Sequence, residues 1–322
     1  MEALIEVNGL SKDFGSLRAV KDLSLKVYRG EVLGFLGPNG AGKSTTMKMI
    51  TVFLAPTSGS VSIAGFDIEK SPIEAKARIG YLPEGAPAYG EMTPIGFLKF
   101  IADIRGMPRS QCNARITEVV SRIHLESVLH QRIETLSKGF KRRVGLAQAI
   151  LHDPEILIMD EPTDGLDPNQ KHEVRTLIQE MAADKAIVIS THILEEVDAV
   201  CTRAIIIGRG EIIFSGTPRE LASRSRYNNA ATVVIDASDI ERVRSALRSM
   251  SGVQDVEESR SGDEARLTVI PEEGANPTVA VQQCLADIDC NPHEFFVEHG
   301  RLDEVFRSIT TTAADGGEID RT

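Results

Sequence analysis

The chain has 322 residues, 42% of them hydrophobic and 26% charged, which excludes collagen-like, low-complexity and wholly disordered proteins. At roughly 100–200 residues per domain, this length predicts two domains. The net charge of −11 is unevenly placed. Residues 1–223 hold 26 basic and 28 acidic side chains, a net −2, whereas residues 224–322 hold 10 and 19, a net −9. An acidic chain without a basic stripe disfavours nonspecific nucleic-acid binding.

The cysteines and the N-terminus indicate where the protein works. The four cysteines have no C-x-x-C spacing, and a chain of this size does not need disulfides, so we expect thiols in a reducing compartment. The start, MEALIEVNGL, lacks the basic and apolar regions of a signal peptide. No stretch approaches the ~18 apolar residues of a membrane helix. We therefore expect any membrane association to come through a partner.

The first two thirds of the chain have an α/β pattern. The apolar run VLGFLG (32–37) is typical of a buried central strand, and a helix is predicted between it and Pro56. The apolar spacing is helical over about 93–150, and two further buried strands, 155–161 and 186–191, flank another helix. Strand, helix and strand in that order predict a parallel sheet.

The last third has a different pattern, with the order strand, helix, strand, strand, helix, strand and then a final helix over 302–310. This order is typical of a ferredoxin-like α+β domain, which we place at 223–310. Ser238 and Glu241 have the spacing of a capping box for its first helix. The polar residues 311–322 have no periodicity and predict a disordered tail.

A glycine-rich segment carries the first chemical motif. GPNGAGKS (37–44) fits the phosphate-binding pattern G-x-x-x-x-G-K-[ST] between a buried strand and a helix. Backbone N–H groups and a helix N-terminus form an anion site there. We expect Lys43 to reach the β- and γ-phosphates, Ser44 to bind Mg²⁺ and Thr45 to bond the α-phosphate. The remaining loop residues of this nucleotide site are Gly37, Pro38, Asn39, Gly40, Ala41 and Gly42.

Two carboxylates follow a later buried strand. Asp160 and Glu161 end the run EILIMDE, which places them at the carboxyl edge of the sheet, where open α/β folds bind ligands. Asp160 is suited to holding Mg²⁺ through water, and Glu161 to orienting and deprotonating an attacking water. His192 directly follows the next buried strand. A histidine at a strand end is by itself more often a cap or a surface group.

A third motif, TLSKGF (135–140), places Ser137 and Gly139 at the start of a predicted helix. Backbone N–H groups and the positive end of the helix dipole can face an anion there. The loop at 37–44 does not need a second anion site. This second anion site would have a role if it faced the phosphates of a nucleotide bound by another molecule.

Together these motifs resemble the nucleotide-binding subunits of ATP-binding cassette (ABC) transporters over residues 1 to about 222. The resemblance implies a P-loop NTPase cassette with an antiparallel β subdomain and a helical subdomain at about 85–150. The motifs stand in the family's order: Phe14, the loop 37–45, Glu84 at the Q-loop position, the signature LSKGF (136–140), Asp160 and Glu161 ending the Walker B strand, Asp167 in the D-loop and the switch histidine His192.

The same resemblance implies an ATPase that requires Mg²⁺. The implied catalytic residues are Glu161, His192 and Lys43. The implied Mg²⁺ ligands are Ser44, Glu84 and Asp160. In a head-to-tail homodimer, each ATP would lie between one subunit's loop and the other subunit's Ser137 and Gly139, with Asp167 nearby. Phe14 would stack on the adenine.

Two departures from the commonest family pattern point to one branch. The signature has Lys138 and Phe140 where LSGGQ has glycine and glutamine, and Glu84 stands at the usual glutamine position. Both variants resemble those of the bacterial drug, polysaccharide, sodium and gliding-motility type exporters. This implies a separate multi-span membrane permease as partner, and a cytoplasmic position on the inner face of the inner membrane.

Two alternatives remain open at this point. One is an ABC ATPase that acts on nucleic acid or ribosomes, which the single cassette and the absence of coiled-coil arms disfavour. The other is an ATPase controlled by a ligand-sensing C-terminal domain, because fold alone does not establish what that domain does. We expect the basic cluster KGFKRR (138–143) to be a solvated or interface face rather than a nucleic-acid patch.

Overall fold

The computed structural model describes residues 2–85 and 88–315. The chain divides into two compact units, one running to Pro218 and the other covering Arg219–Thr312. This division lies close to the boundary predicted after residue 222. In the described residues the first unit has two sheets and the second has one, and each unit has its own buried apolar residues.

Strands and helices alternate along the first unit, as its apolar pattern predicts. The strands are β1 (Ala3–Phe14), β2 (Leu17–Tyr28), β3 (Val32–Leu36), β4 (Ser58–Ile63), β5 (Phe66–Asp67), β6 (Ile79–Leu82), β7 (Ile156–Asp160), β8 (Ala186–Ser190), β9 (Arg203–Gly208) and β10 (Glu211–Gly216). The helices are α1 (Lys43–Ile50), α2 (Pro72–Ala77), α3 (Pro94–Ile104), α4 (Arg109–Arg122), α5 (Lys138–Ile150), α6 (Pro168–Ala182) and α7 (Leu194–Val200).

Among the described residues, the central layer of the first unit is a six-stranded sheet in the order β10-β9-β3-β8-β7-β6. All neighbours pair in parallel except β10, which forms an antiparallel hairpin with β9. Every residue of β3, β7 and β8 is buried, because both faces of a parallel sheet are covered. The carboxyl ends of these three neighbouring strands therefore meet at one edge, and the predicted site residues follow them.

A second sheet of the first unit is antiparallel, in the order β2-β1-β4-β5. Its inner face shares a buried apolar cluster with α1 and the central sheet, since Leu10 and Ile63 belong to the same cluster as Phe35 and Met47. The turn between β1 and β2 brings Phe14 opposite Leu17. This sheet thereby places the predicted adenine-stacking residue at its outer end.

The helical spacing predicted over 93–150 is confirmed by α3, α4 and α5. Thr93 caps α3 by accepting a hydrogen bond from the Gly96 N–H at 3.2 Å, and Pro94 fits the first turn because its missing N–H has no partner there in any helix. Ser137 caps α5 in the same way, accepting from the Phe140 N–H at 3.3 Å. Helix α1 ends at Ile50, earlier than the limit set by Pro56.

The second unit has the element order predicted from the sequence. After α8 (Pro218–Ser223) its elements are β11 (Asn228–Asp236), α9 (Ile240–Arg248), β12 (Val253–Ser261), β13 (Glu264–Pro271), α10 (Thr278–Asp287), β14 (Glu294–His299) and α11 (Leu302–Asp315). The four strands form an antiparallel sheet in the order β12-β13-β11-β14. Apolar residues of α9 and α10 share one buried cluster with Val233 and Leu267 of the sheet.

Two local predictions for this unit are wrong. The capping box of Ser238 and Glu241 does not form, because a short 3₁₀ turn over Ala237–Asp239 precedes α9 and no side chain caps the helix. Helix α11 continues to Asp315, so the predicted tail does not begin at residue 311. Its remaining part, 316–322, lies outside the described residues.

Candidate active site

The loop between β3 and α1 adopts backbone angles that favour glycine. Gly37, Gly40 and Gly42 have φ angles of +156°, +78° and +108°. A Cβ on Gly37 would lie 2.4 Å from the Ile207 carbonyl oxygen, and one on Gly42 would lie 2.6 Å from that of Ala19. These two glycines are needed for close backbone approach, whereas Gly40 faces open space and is needed for its positive φ alone.

Lys43 opens α1 and is buried, with 8% of its surface exposed. Its ammonium donates to the carbonyl oxygens of Gly37 at 2.6 Å and Pro38 at 3.1 Å. Burial lowers the pKa of Lys43, and the nearby carboxylates of Glu161, Asp160 and Glu84 oppose that shift. The predicted phosphate ligand therefore lies folded against its own loop, and all three predicted acidic residues influence its charge.

The predicted carboxylates come together with His192 at the sheet edge. Asp160 is buried at the end of β7 and accepts a hydrogen bond from the Ser190 hydroxyl at the end of β8. Glu161 has a φ of +52°, and its N–H donates to the Ser190 carbonyl at 3.0 Å. His192 Nδ1–H donates to both Glu161 carboxylate oxygens, at 2.9 and 3.0 Å. The left-handed turn thus directs Glu161 toward the histidine that follows the neighbouring strand.

Burial makes the Glu161 carboxylate a better proton acceptor. The pKa of Glu161 is raised chiefly by burial, with the hydrogen bond from His192 opposing the shift. Its side chain is 18% exposed, against 63% for His192. A carboxylate with a raised pKa binds a proton more readily than a free one. The geometry therefore suits proton transfer from a water at this edge.

The predicted Mg²⁺ ligands lie after β3, after β6 and at the end of β7. Ser44 and Thr45 are half-buried in the first turn of α1, and Glu84 is exposed after β6. Burial raises the pKa of Tyr81 to about 12, and the nearby charges of Asp160 and Glu84 add to the shift. In the described part of the chain, no group of three or more histidine, cysteine or acidic residues could hold a metal ion. One hydroxyl and one or two carboxylates are the protein ligands that Mg²⁺ takes when phosphate oxygens complete its shell.

The signature segment is built at the surface. The exposed Ser137 caps α5, while a Cβ on Gly139 would lie 2.7 Å from the Gln170 Oε1 of α6. The Lys138 ammonium pairs with Asp164 at 2.9 Å. Asp167 caps α6 by accepting from the Gln170 N–H at 2.9 Å. A side chain at residue 139 would therefore require the flexible end of the Gln170 side chain to move.

Phe14 lies at the end of β1 and is 48% exposed. The Lys12 ammonium is 5.3 Å from the centre of its ring. An exposed ring next to a cation does not belong to an apolar core. Phe14 is thereby available for stacking.

Comparison with known proteins identifies the family. The ABC transporter family profile matches residues 20–164. An uncharacterised ABC transporter ATP-binding protein of Bacillus subtilis (strain 168) is 34% identical over 319 residues, which are 98% of each chain. The chain belongs to the ABC transporter ATP-binding proteins. It is therefore a nucleotide-binding ATPase subunit of the ABC type, as its motifs predict.

Two further similarities extend this assignment. The Nod factor export ATP-binding protein I of Paraburkholderia xenovorans (strain LB400) is 38% identical over 221 residues, 68% of this chain and 73% of that protein. A solved ATP-binding subunit of an ABC transporter has a TM-score of 0.64 at 32% identity, covering 68% of this chain and 91% of its own. The first unit thus has the fold of a P-loop ABC cassette. No helix in the described residues of this ABC subunit is long and apolar enough to cross a membrane.

One residue of the ABC site was missed by the sequence analysis. Arg142 of α5 is 5% exposed, and its guanidinium donates to the carbonyl oxygens of Asp160 and Glu161. It also donates to Pro162 at 3.4 Å and Pro83 at 3.1 Å. Arg142 therefore clamps the backbone that carries both carboxylates. Arg142 lies four residues before Leu146 and seven before Ala149, which are both buried in the same helix. This spacing could have indicated that Arg142 is buried as well.

The expectation that 138–143 is a solvated or interface face is wrong for its last two residues. Arg143 is 9% exposed, donates to the Ile123 carbonyl at 3.1 Å and pairs with Glu173 at 2.7 Å. Arg142 is also buried. Guanidinium groups that bind internal carbonyls and carboxylates are unavailable to an outside partner. Only the first part of this cluster lies at the surface of the ABC subunit.

Proposed function

We propose that this chain is the ATP-hydrolysing subunit of an exporter, acting as a head-to-tail pair and driving a separate membrane-spanning permease. The observation that carries the proposal is the meeting of Glu161 and His192 at the sheet edge, beside the buried Lys43. Export is supported by the relative named for Nod factor export. The head-to-tail pair is supported by the surface position of the signature segment.

Nucleotide binding draws on the loop and on Phe14. Lys43 exchanges its two carbonyl acceptors for the β- and γ-phosphates, while the loop N–H groups and the N-terminus of α1 face the phosphates. Thr45 bonds the α-phosphate, and Phe14 stacks on the adenine. Ser44, Asp160 and Glu84 would hold Mg²⁺, which supplies positive charge to the phosphate oxygens.

Hydrolysis is assigned to the pair of Glu161 and His192. Glu161 orients a water in line with the γ-phosphate and accepts its proton, for which its raised pKa is suited. His192 fixes the Glu161 carboxylate through its Nδ1–H. Positioning and charge stabilisation supply the catalysis, since phosphoryl transfer needs little covalent help from the protein.

The second half of each site comes from the other subunit. Ser137 and Gly139 lie at the N-terminus of α5, where Ser137 is exposed and Gly139 is buried. We assign them to the γ-phosphate of the nucleotide held by the other subunit's loop. Asp167, which caps α6, adjoins this second half.

The permease contact is assigned to the Glu84 loop and the helical segment 93–135. Exposed apolar side chains support this, because Tyr89 and Ile104 are 60% and 64% exposed. We place the subunit in the cytoplasm at the inner face of the inner membrane. Action on nucleic acid is disfavoured by the burial of Arg142 and Arg143, which removes two cations from the surface of the signature helix.

The second unit is proposed to be a ferredoxin-like domain over 223–310. The support is its element order together with the strand order β12-β13-β11-β14. The full-length relative in Bacillus subtilis, matched over 98% of both chains, supports this unit as a regular part of such subunits. It holds most of the negative charge of the chain.

Mixing two inactive variants tests the head-to-tail site. Lys43→Ala removes the phosphate ligand, and Ser137→Asp keeps the helix cap, since aspartate caps well, but repels phosphate. Each variant alone should lose ATPase activity. An equimolar mixture should regain about a quarter of the wild-type rate, because half of the random pairs hold one intact site.

Ser121→Asp is the matched control, because it adds the same charge at an exposed position of α4, outside the nucleotide site, and should keep most activity. A mixture no more active than the two variants alone would contradict the composite site.

The permease is tested separately by isolating the tagged chain from membranes. A multi-span protein should accompany it, whereas recovery with ribosomes would support the nucleic-acid alternative.

A further inference from the structure

A buried carboxylate lies behind the Glu161–His192 pair. Glu196, in the first turn of α7, is 2% exposed. One of its oxygens accepts a hydrogen bond from the Thr163 hydroxyl, and the other accepts from the Thr191 hydroxyl at 2.8 Å. Thr163 and Thr191 are 2% and 0% exposed. Both carboxylate oxygens are thereby bound to hydroxyl groups inside the protein.

The two threonines belong to the two segments that carry the pair. Thr163 lies two residues after Glu161, and Thr191 directly precedes His192. The Thr191 oxygen also accepts from the Ile193 N–H at 3.0 Å. Since that oxygen already accepts from the backbone, its single proton is directed to Glu196. In the bridge formed by Thr163, Glu196 and Thr191, each threonine hydroxyl therefore donates and the Glu196 carboxylate accepts.

The charge of Glu196 has no cation beside it. Among the described residues no lysine, arginine or histidine forms an ion pair with Glu196, unlike the buried Arg143, which pairs with Glu173. Burying a carboxylate is costly, and among the described residues the hydrogen bonds that Glu196 accepts come from two threonine hydroxyls. A costly group at the junction of two catalytic segments indicates a geometric role.

We propose that Glu196 is a positioning residue that sets the separation of the Glu161 and His192 segments. By fixing Thr163 and Thr191 to one rigid carboxylate, it keeps the His192 Nδ1 at 2.9–3.0 Å from the Glu161 oxygens. This rests on the proposed function, in which Glu161 is the base that His192 orients. Glu196 acts through these residues and does not touch the nucleotide.

Two substitutions of Glu196 separate geometry from charge. Glu196→Gln keeps a two-pronged group that can accept from one threonine and donate to the other, so kcat should stay within about threefold of wild type. Glu196→Ala leaves both hydroxyls without an acceptor, and kcat should fall at least about tenfold because the pair is misplaced. The KM for ATP should change less than about twofold, because the phosphate loop is untouched.

Val200→Ala is the matched control, because Val200 lies on the same helix and is 7% exposed, yet belongs to neither threonine bridge. It should lose packing without losing kcat. If Glu196→Ala folds poorly, Thr163→Val and Thr191→Val test the same bridge from the other side. Each should lower kcat with the KM unchanged.

A spectroscopic measurement follows the pair directly. The imidazole NMR signal of His192 should move in Glu196→Ala in the direction that it moves in Glu161→Gln, and should return in Glu196→Gln. Wild-type kcat in Glu196→Ala, or a loss matched by Val200→Ala, would overturn the proposal. If Glu161→Gln retains full turnover, the proposed function itself fails, which is a different result.

Discussion

The two ends of the active site in the first unit are held by different kinds of contact. At the buried end, which comprises the phosphate loop and the segment that carries Asp160 and Glu161, Lys43 and Arg142 donate to backbone carbonyls. At the signature end, Ser137 is exposed, and the side chains of the Lys138–Asp164 pair are 67% and 48% exposed. Buried polar contacts are costly to break, whereas exposed ion pairs contribute little.

This difference shows which part of the site one chain can build alone. The buried end is complete in a single chain, because its donors and acceptors are satisfied internally. The exposed end is held loosely and presents a helix N-terminus outward, which suits a surface that is completed by a second subunit. Substitutions at each end measure this contrast in contact strength.

The largest effect is expected at the buried end from Glu161→Gln. It removes the base but keeps a side chain of the same shape next to His192. We expect hydrolysis to fall about 10²–10⁴-fold while ATP binding is retained and the ATP-bound dimer persists. Steady-state ATPase rates and size-exclusion chromatography with ATP measure these. Unchanged turnover would remove Glu161 from its role.

Arg142→Met should destabilise the first unit by about 3–5 kcal/mol, because it leaves buried carbonyls without a donor. Those of Asp160, Glu161 and Pro162 lie in the segment that carries both carboxylates. Urea unfolding measures the loss. Arg122→Met is the matched control, since Arg122 is exposed and, among the residues that the structure describes, pairs only with Glu180 at 3.4 Å, and it should cost under about 1 kcal/mol. Equal losses would abolish the distinction between buried and exposed contacts.

A smaller, pH-dependent effect is expected from His152, which precedes β7. Burial lowers its pKa from 6.5 to about 4, and the nearby Arg105 adds to the shift. Between these values the unfolded chain binds a proton that the folded chain does not, so stability falls as the pH drops from about 6.5 to about 4. His152→Gln should remove up to about 3 kcal/mol of this dependence.

The control for His152 is His130, which is exposed. Urea midpoints measured between pH 4 and 7 should run parallel for wild type and His130→Gln, while His152→Gln should be flatter. A His152→Gln curve parallel to wild type would show that burial does not suppress protonation of that ring.

Local patterns predicted much of this site. The glycine loop, Lys43 and the two carboxylates lie next to buried strands, as the apolar pattern predicts, and the carboxyl ends of neighbouring parallel strands share an edge. The pairing of Glu161 with His192 was not predicted. It depends on the left-handed turn at Glu161, which no periodicity reveals.

The supporting residues were missed for a common reason. Arg142 and Glu196 are charged, so they were assigned to solvent or passed over, although each lies on the apolar side of its helix. Glu196 is three residues after Ile193 and four before the buried Val200. They are buried because their hydrogen-bond partners lie on other segments of the chain. The spacing of residues within one helix carries no information about those partners. In the second unit, the local pattern predicted the element order but placed the first helix cap and the end of α11 wrongly.

The smallest effect is expected at the exposed end. A double-mutant cycle with Lys138→Ala, Asp164→Ala and both together should give a coupling free energy of at most about 1 kcal/mol, falling as salt is added. The methylene groups of Lys138 also lie over Gly165, where a Cβ would be 2.5 Å from its Cδ, so Lys138→Met should keep that contact and lose only the charge. A coupling above about 2 kcal/mol that resists salt would mean that the signature end is as rigid as the buried end. The exposed end would then be preformed in one chain, and a partner subunit would add phosphate contacts without ordering it.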